Sequence, residues 1–128
     1  MINAATGVVL RSYPLQTVPS FINDVTLTGG AAWYTDSTNP VLFKLPLGRS
    51  GKLPAEAVRV PLTGDIAYTT SNNANGIAPS PDGRGLIIVQ SNLGKLFRTS
   101  YVVRRTPARF TTPPTPETEY TAVGVRRP

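Results

Sequence analysis

Two stretches of the chain decide its predicted fold. Residues 23–37 read NDVTLTGGAAWYTDS, and residues 75–91 read NGIAPSPDGRGLIIVQS. Each begins with an Asn, continues through apolar or alternating residues into a turn rich in Gly, and ends after a second apolar run at a Ser. Alternation with a period of two, bounded by Gly, Pro and Asp, is typical of short strands joined by tight turns. We therefore predict a pair of adjacent β-strands in each stretch.

The two stretches belong to a repeat of just over fifty residues. Three short segments recur in the same order, at spacings of 52, 54 and 54 residues: Asn23-Asp24-Val25 with Asn75-Gly76-Ile77, Asp36-Ser37 with Gln90-Ser91, and Leu42-Phe43-Lys44 with Leu96-Phe97-Arg98. The two-residue drift falls in a turn, where insertions are tolerated best. A unit of four short strands in this length is typical of one blade of a β-propeller.

The fold class predicted from this pattern is all-β. The chain is expected to be a β-propeller fragment of about two four-stranded antiparallel blades, residues 21–70 and 71–99, of which the second is incomplete. Pro61 is expected to end the last strand of the first blade, because Pro has no N–H to donate. Residues 1–20 are predicted to form the outer strand of a preceding blade and a linker. Residues 100–128, rich in Pro, Thr and Arg, are predicted to be an irregular, disordered tail.

Composition excludes several kinds of chemistry. The 128 residues contain no Cys and no His. Disulfides, thiol nucleophiles, zinc–thiolate sites and imidazole acid–base catalysis are therefore excluded within this chain. The remaining metal ligands are oxygens from Asp, Glu, Asn and the backbone, which suit a hard cation such as Ca²⁺.

The net charge of +6 gives little indication of a partner. Half of it lies in residues 100–128, and the basic residues before them are scattered singly. This scatter is typical of a solvated surface and disfavours a nucleic-acid interface. No apolar run approaches the ~20 residues needed to span a bilayer. Residues 1–10 lack the basic and apolar regions of a signal peptide, and the compartment stays open.

The repeat resembles a known group of proteins. The segment from Asn75 to Gly83, NGIAPSPDG, resembles the "NG-(I/L)-x-x-(S/T)-P-D-G" segment of the senescence-marker-protein/gluconolactonase/luciferin-regenerating-enzyme-like propellers. The earlier pair, FINDV at 21–25 and WYTDS at 33–37, resembles the preceding blade of the same superfamily. The resemblance covers about residues 7–99. It implies a six-bladed propeller with a central cavity.

The resemblance also implies a metal site. In catalytic members one divalent cation is held by a carboxylate and by Asn side chains from different blades, and the matching positions here are Asn23 and Asn75. Asp24 is a further candidate, as a ligand or as a group beside one. Ca²⁺ is the cation expected, and it would polarise a lactone carbonyl and activate water. The alternative is structural: Asn before Gly is a turn former, and an Asn-Asp pair can bond the local backbone.

Two functions from different classes follow. A six-bladed ring needs roughly 300 residues at this repeat length, so this chain is expected to be a truncated or frame-shifted part of one. The first hypothesis is an inactive fragment whose intact parent is a metal-dependent hydrolase of a lactone or binds a sugar-derived ligand. The second is a non-catalytic binding module. Its exposed strand edges would also invite self-association.

Overall fold

The computed structural model describes residues 1–48, 52–102 and 119–124, and for 100–102 and 119–124 it describes the backbone alone. The described chain is all-β, as predicted, apart from one 3₁₀ turn at Ser91–Leu93. Its strands are β1 (Ile22–Thr28), β2 (Ala31–Asp36), β3 (Val41–Pro46), β4 (Val58–Gly64), β5 (Ala74–Pro79), β6 (Leu86–Gln90), β7 (Lys95–Val102) and β8 (Glu119–Gly124). Among the described residues, no helix has the length and apolar character to cross a membrane.

The strands form two antiparallel units. In unit 1, β1 to β4 pair consecutively; in unit 2, β5, β6 and β7 do the same, and β8 adds antiparallel to β7. The units join where β8 also pairs with β4 in parallel, from Leu62 to Gly64. The resulting strand order is β1-β2-β3-β4-β8-β7-β6-β5. Among these strands, those consecutive in sequence are also neighbours in the sheet, except for β4 and β5.

The sequence repeat is a repeat of strand register. In unit 1 the pairing of β1 with β2 shifts between Ile22 and Val25. In unit 2 the pairing of β5 with β6 shifts between Ala74 and Ile77, each 52 residues further on. Such a shift is a β-bulge, which bends the strand and leaves residues outside the ladder. Each bulge contains one of the two Asn residues predicted as metal ligands, Asn23 in β1 and Asn75 in β5.

The main core lies between the two units. Because side chains alternate across a strand, each unit has two faces. We call the two sides of each unit face A and face B. In unit 1, face A carries Trp33 and Leu42. In unit 2, face B carries Ile77, Ile88 and Phe97. These residues are buried together in one apolar cluster. Burial of each large side chain contributes about 1.5–3 kcal/mol, so this junction is the principal source of stability.

The opposite side of unit 1, its face B, is partly covered by the beginning of the chain. Face B carries Tyr34 and the buried Leu45. Tyr13 lies beside both residues, and its hydroxyl donates to the carbonyl oxygen of Pro54 at 3.1 Å. Within residues 1–20 the described secondary structure is one isolated bridge, between Ile2 and Val9. The predicted domain limits themselves remain predictions.

Two expectations about strand ends differ from the structure. β4 does not end at Pro61 but continues to Gly64. Pro61 is tolerated because β4 is still an edge strand at this residue, since its pairing with β8 begins only at Leu62. The Leu62 N–H donates to the Pro40 carbonyl oxygen at 2.9 Å.

The C-terminal region also differs from the irregular tail expected. β7 extends to Val102, and residues 119–124 form β8, which occupies the fourth position of unit 2. Its sequence, EYTAVG, is rich in strand-forming Tyr, Thr and Val, a signal hidden by the Pro-rich average of the region. The rest of the predicted tail, residues 103–118 and 125–128, lies outside the described residues.

Candidate functional site

The two Asn residues of the predicted metal site occupy equivalent positions. Asn23 Nδ2 donates to Ser37 Oγ at 3.0 Å, and Asn75 Nδ2 donates to Ser91 Oγ at 3.1 Å. Each contact ties the bulge of a first strand to the end of the second strand of its unit. Because the nitrogen faces the serine, the Oδ1 atom of each amide points elsewhere. The structure therefore gives both Asn side chains a structural contact and leaves metal binding a prediction.

Asp24 connects the two units. Its Oδ2 accepts the backbone N–H of Ile77 at 2.9 Å, and its Oδ1 accepts that of Val25 at 2.8 Å. The Asp24 N–H donates to Thr35 Oγ1 at 3.0 Å, and this hydroxyl donates to the carbonyl oxygen of Asn75 at 3.1 Å. The carboxylate thus supplies an acceptor to a backbone N–H of β5, at the residue that follows the bulge. This is a structural link, and a role of Asp24 in metal binding remains a prediction.

The position equivalent to Asp24 in unit 2 is Gly76. A Cβ added there would lie 3.2 Å from Val89 Cγ2 and 3.9 Å from Asp24 Oδ2. A Cβ at residue 76 would therefore crowd Val89 and would lie in ordinary van der Waals contact with the Asp24 carboxylate. The repeat is asymmetric at this point, because unit 1 carries a carboxylate and unit 2 makes room for it.

Asp36 is the last residue of β2, is fully buried, and makes structural contacts. Its carboxylate accepts backbone N–H groups from Phe21, Thr38 and Asn39 at 3.2, 2.8 and 3.1 Å. Asn39 Nδ2 also donates to its second oxygen at 2.9 Å. Four donors satisfy this fully buried carboxylate, as burial of a charge requires.

Sequence reasoning missed a buried polar network around Asn73. This side chain, fully buried, donates to the carbonyl oxygens of Thr69 and Ser71 at 2.9 and 2.5 Å. Its Oδ1 accepts from Gln90 Nε2 at 3.0 Å and from Asn92 Nδ2 at 3.1 Å. The signal available in the sequence was the polar run SNNAN at 71–75, which reads as an ordinary loop.

Two oxygens of this network have no donor among the described residues. They are Gln90 Oε1 and Asn92 Oδ1, and both are buried. Gln90 cannot gain by exchanging its oxygen and nitrogen, because its Nε2 faces the carbonyl oxygen of Ala67 at 2.8 Å. The network therefore holds the loops beside β5 and β6 in place without satisfying all of its atoms.

A cleft of about 170 Å³ opens on face B of unit 1. It is lined by Met1, Tyr13, Leu15, Tyr34 and Leu45. Burial raises the pKa of the Tyr34 phenol, and neighbouring Tyr13 adds to the rise. None of the predicted metal ligands lines this cleft, and over the described part of the chain no group of three acidic side chains could hold a metal ion.

The last candidate is face A of unit 2, an apolar surface on which Ala78 and Leu96 are exposed and Ile87 and Val89 are half-buried. It carries Ala78, Ile87, Val89 and Leu96, which are neighbours through the pairings of β5, β6 and β7. The Leu96 side chain is 45% exposed. At the border of this face, the Arg98 guanidinium forms an ion pair with Asp82.

Comparison of the chain with protein-family models, with curated proteins and with solved structures finds no match. The resemblance to gluconolactonase-like propellers therefore remains a prediction from the repeat and its motifs.

Proposed function

We propose that this chain is a propeller-type binding module, whose two blade-like units bind a protein partner through face A of unit 2. The observation that carries the proposal is an apolar surface on which Leu96 is 45% exposed and its neighbours Ile87 and Val89 are half-buried. Contiguous exposed apolar surface on a folded chain marks interaction sites, whereas singly scattered apolar residues do not.

The contacts of the repeated motifs support this choice over catalysis. Asp24 accepts two backbone N–H groups, and Asn23 and Asn75 each donate to a Ser. These contacts position the first strand of each unit and link the units. The residues most expected to perform chemistry thus have structural contacts: Asn23 and Asn75 within their own units, and Asp24 between the units.

Dye binding tests whether face A is an accessible binding surface. 8-Anilinonaphthalene-1-sulfonate should fluoresce with the monomeric chain, and Leu96→Lys should reduce the signal severalfold because it places a charge in the apolar surface. Leu93→Lys is the matched control, since Leu93 is 44% exposed and lies outside the face. Absence of fluorescence, or equal loss with both variants, would contradict the proposal.

A second candidate is that the chain forms two blades of a divalent-metal-dependent lactone hydrolase. It is favoured by the equivalent bulges, which place Asn23 and Asn75 on adjacent first strands with each Oδ1 turned away from its Ser. Amide oxygens are ligands that Ca²⁺ accepts, although neutral oxygens bind it weakly. Carboxylates from further blades would complete such a site, and a small lactone would be the substrate.

Calorimetric titration with Ca²⁺ tests this candidate. We expect weak binding that disappears in Asn23→Ala/Asn75→Ala and persists in Asn72→Ala, a control at an exposed Asn of the neighbouring loop. The isolated chain should not hydrolyse a lactone. Ca²⁺ binding unchanged by the double substitution would exclude these residues as ligands, and rapid turnover would show that the chain is sufficient for catalysis.

A further inference from the structure

We propose that the partner bound by face A of unit 2 is face B of unit 1 in a second copy of this chain. The copies would associate head to tail. This inference rests on the proposed binding function and specifies its partner.

The junction inside the chain is the template for this contact. Face A of unit 1, with Trp33 and Leu42, already packs on face B of unit 2, with Ile88 and Phe97. The repeat spacing of 54 residues converts Trp33 and Leu42 into Ile87 and Leu96, which lie on face A of unit 2. Within this fold, the surface that packs on face A of one unit is therefore face B of the other unit.

The exposed face A is more apolar than the buried face it repeats. Val89 stands at the position equivalent to Thr35, a buried residue whose hydroxyl accepts the Asp24 N–H within unit 1 and donates to the Asn75 carbonyl oxygen across the internal junction. Gly76 stands at the position equivalent to Asp24. Without these polar links, contact through face A of unit 2 would depend on apolar burial, which requires no matched donors on the partner.

The receiving surface, face B of unit 1, is still open at β1. Val25 and Leu27 are 50% and 65% exposed and pair with Tyr34 and Ala32 of the same face. The residue equivalent to Val25 in unit 2 is Ile77, which is 7% exposed because it is buried in the internal junction. The same position is thus buried where a face A covers it and exposed where none does.

The contact is heterologous, because two different surfaces of the chain meet. Each added copy keeps one free face A and one free face B, so association continues until a ring closes or a filament grows. A symmetric contact would instead stop at a dimer. Because the two contacting surfaces differ, each can be blocked by its own substitution, and a heterologous contact can be distinguished from a symmetric one.

Two single substitutions block the two surfaces separately. We expect the wild-type chain to self-associate with increasing concentration in sedimentation velocity. Leu96→Lys, on face A of unit 2, and Leu27→Lys, on face B of unit 1, should each weaken association at least about tenfold. Leu93→Lys should leave it unchanged. Circular dichroism spectra and melting temperatures establish that the variants, all at exposed positions, remain folded.

Mixing the two blocked variants is the decisive step. The Leu27→Lys chain keeps an intact face A, and the Leu96→Lys chain keeps an intact face B, so an equimolar mixture should form a 1:1 dimer and nothing larger. A monomeric wild type at its highest soluble concentration would overturn the inference, as would a mixture that stays monomeric or equal disruption by Leu93→Lys. If the wild type is monomeric but the dye still binds face A, the binding function stands and the second copy is excluded as the partner.

Discussion

At the scale of single residues, the carboxylate of Asp24 shows how a motif residue contributes to folding. A buried or half-buried backbone N–H without an acceptor destabilises the folded state. Asp24 supplies that acceptor to Ile77 across the junction between the units. One short side chain therefore satisfies the backbone of a strand more than fifty residues away in sequence.

Replacing Asp24 with Asn separates the structural role from a metal-binding role. The amide has the same shape but only one acceptor oxygen, so one of the two backbone N–H groups loses its partner. We expect Asp24→Asn to lower the free energy of unfolding by about 1–3 kcal/mol in urea denaturation without added metal. The exposed Glu56→Gln is the control. If Asp24→Asn kept full stability in the presence of a chelator, the carboxylate would have no structural role, and metal binding would be its remaining candidate role.

Gly85 is required by a close approach of two backbone segments. A Cβ at this position would lie 2.2 Å from the carbonyl oxygen of Thr99, a backbone atom that cannot rotate away. Gly85→Ala should therefore lower the melting temperature and cost about 1–3 kcal/mol, as overpacking does. Gly29→Ala, where the added Cβ meets no atom within 4 Å, is the matched control. Equal stability of both variants would show that β7 shifts freely.

At the scale of elements, the turn between β5 and β6 illustrates how a local sequence sets a local structure. Asp82 Oδ1 accepts from Ser80 Oγ at 2.6 Å and from the backbone N–H of Arg84 at 3.1 Å. Gly83, the third residue of the PDG sequence, adopts a φ of 66°, which Gly permits at little cost. The prediction of a turn at this position is confirmed, and both donors to Asp82 Oδ1 lie two positions away in the sequence.

The protonation of Asp82 should make this turn sensitive to acid. The Ser80 hydroxyl, followed by the Arg84 N–H and the Arg98 guanidinium, lowers the pKa of Asp82 to about 2 from 3.8. A carboxyl whose pKa is lower when folded contributes stability above its unfolded pKa and loses it as the pH falls toward the folded value. We expect Asp82→Asn to be less stable than wild type at neutral pH, with a difference that shrinks between pH 4 and pH 2. Denaturation across this range measures it, and a difference constant with pH would contradict the assignment.

At the scale of the whole molecule, the two units share one apolar core. Trp33 of unit 1 and Phe97 of unit 2 are both almost completely buried in the same cluster. Unit 1 also buries Phe43 and Leu45 on its face B, but the shared cluster contains buried residues of both units. We therefore expect the units to unfold together in one cooperative transition.

Phe97→Ala tests this coupling, with the single Trp as reporter. Truncation of a buried Phe costs about 3–5 kcal/mol, and the loss should appear in the fluorescence of Trp33 as much as in the far-ultraviolet circular dichroism of the whole chain. Leu96→Ala, at the exposed neighbouring position, should have a small effect. Separate transitions for the two signals would show that the units fold independently.

The all-β class, the order of the strands through β7, and the repeat were predictable from the amino-acid sequence. Alternation, Gly and Pro placement, and turn residues act within a few positions, so they can be read without the tertiary structure. These local preferences also placed Asn23 and Asn75 at equivalent points of the two units.

Contacts between distant segments could be decided only by the tertiary structure. Nothing in the composition of the C-terminal region indicated that β8 would pair with β4 and complete unit 2. Nor could the sequence show that Asp24 would bond Ile77, or that Asn73 would organise the loops beside it. Strand identity depends on local backbone preference, whereas pairing partners, buried polar contacts and the choice of covered face depend on how the whole chain packs.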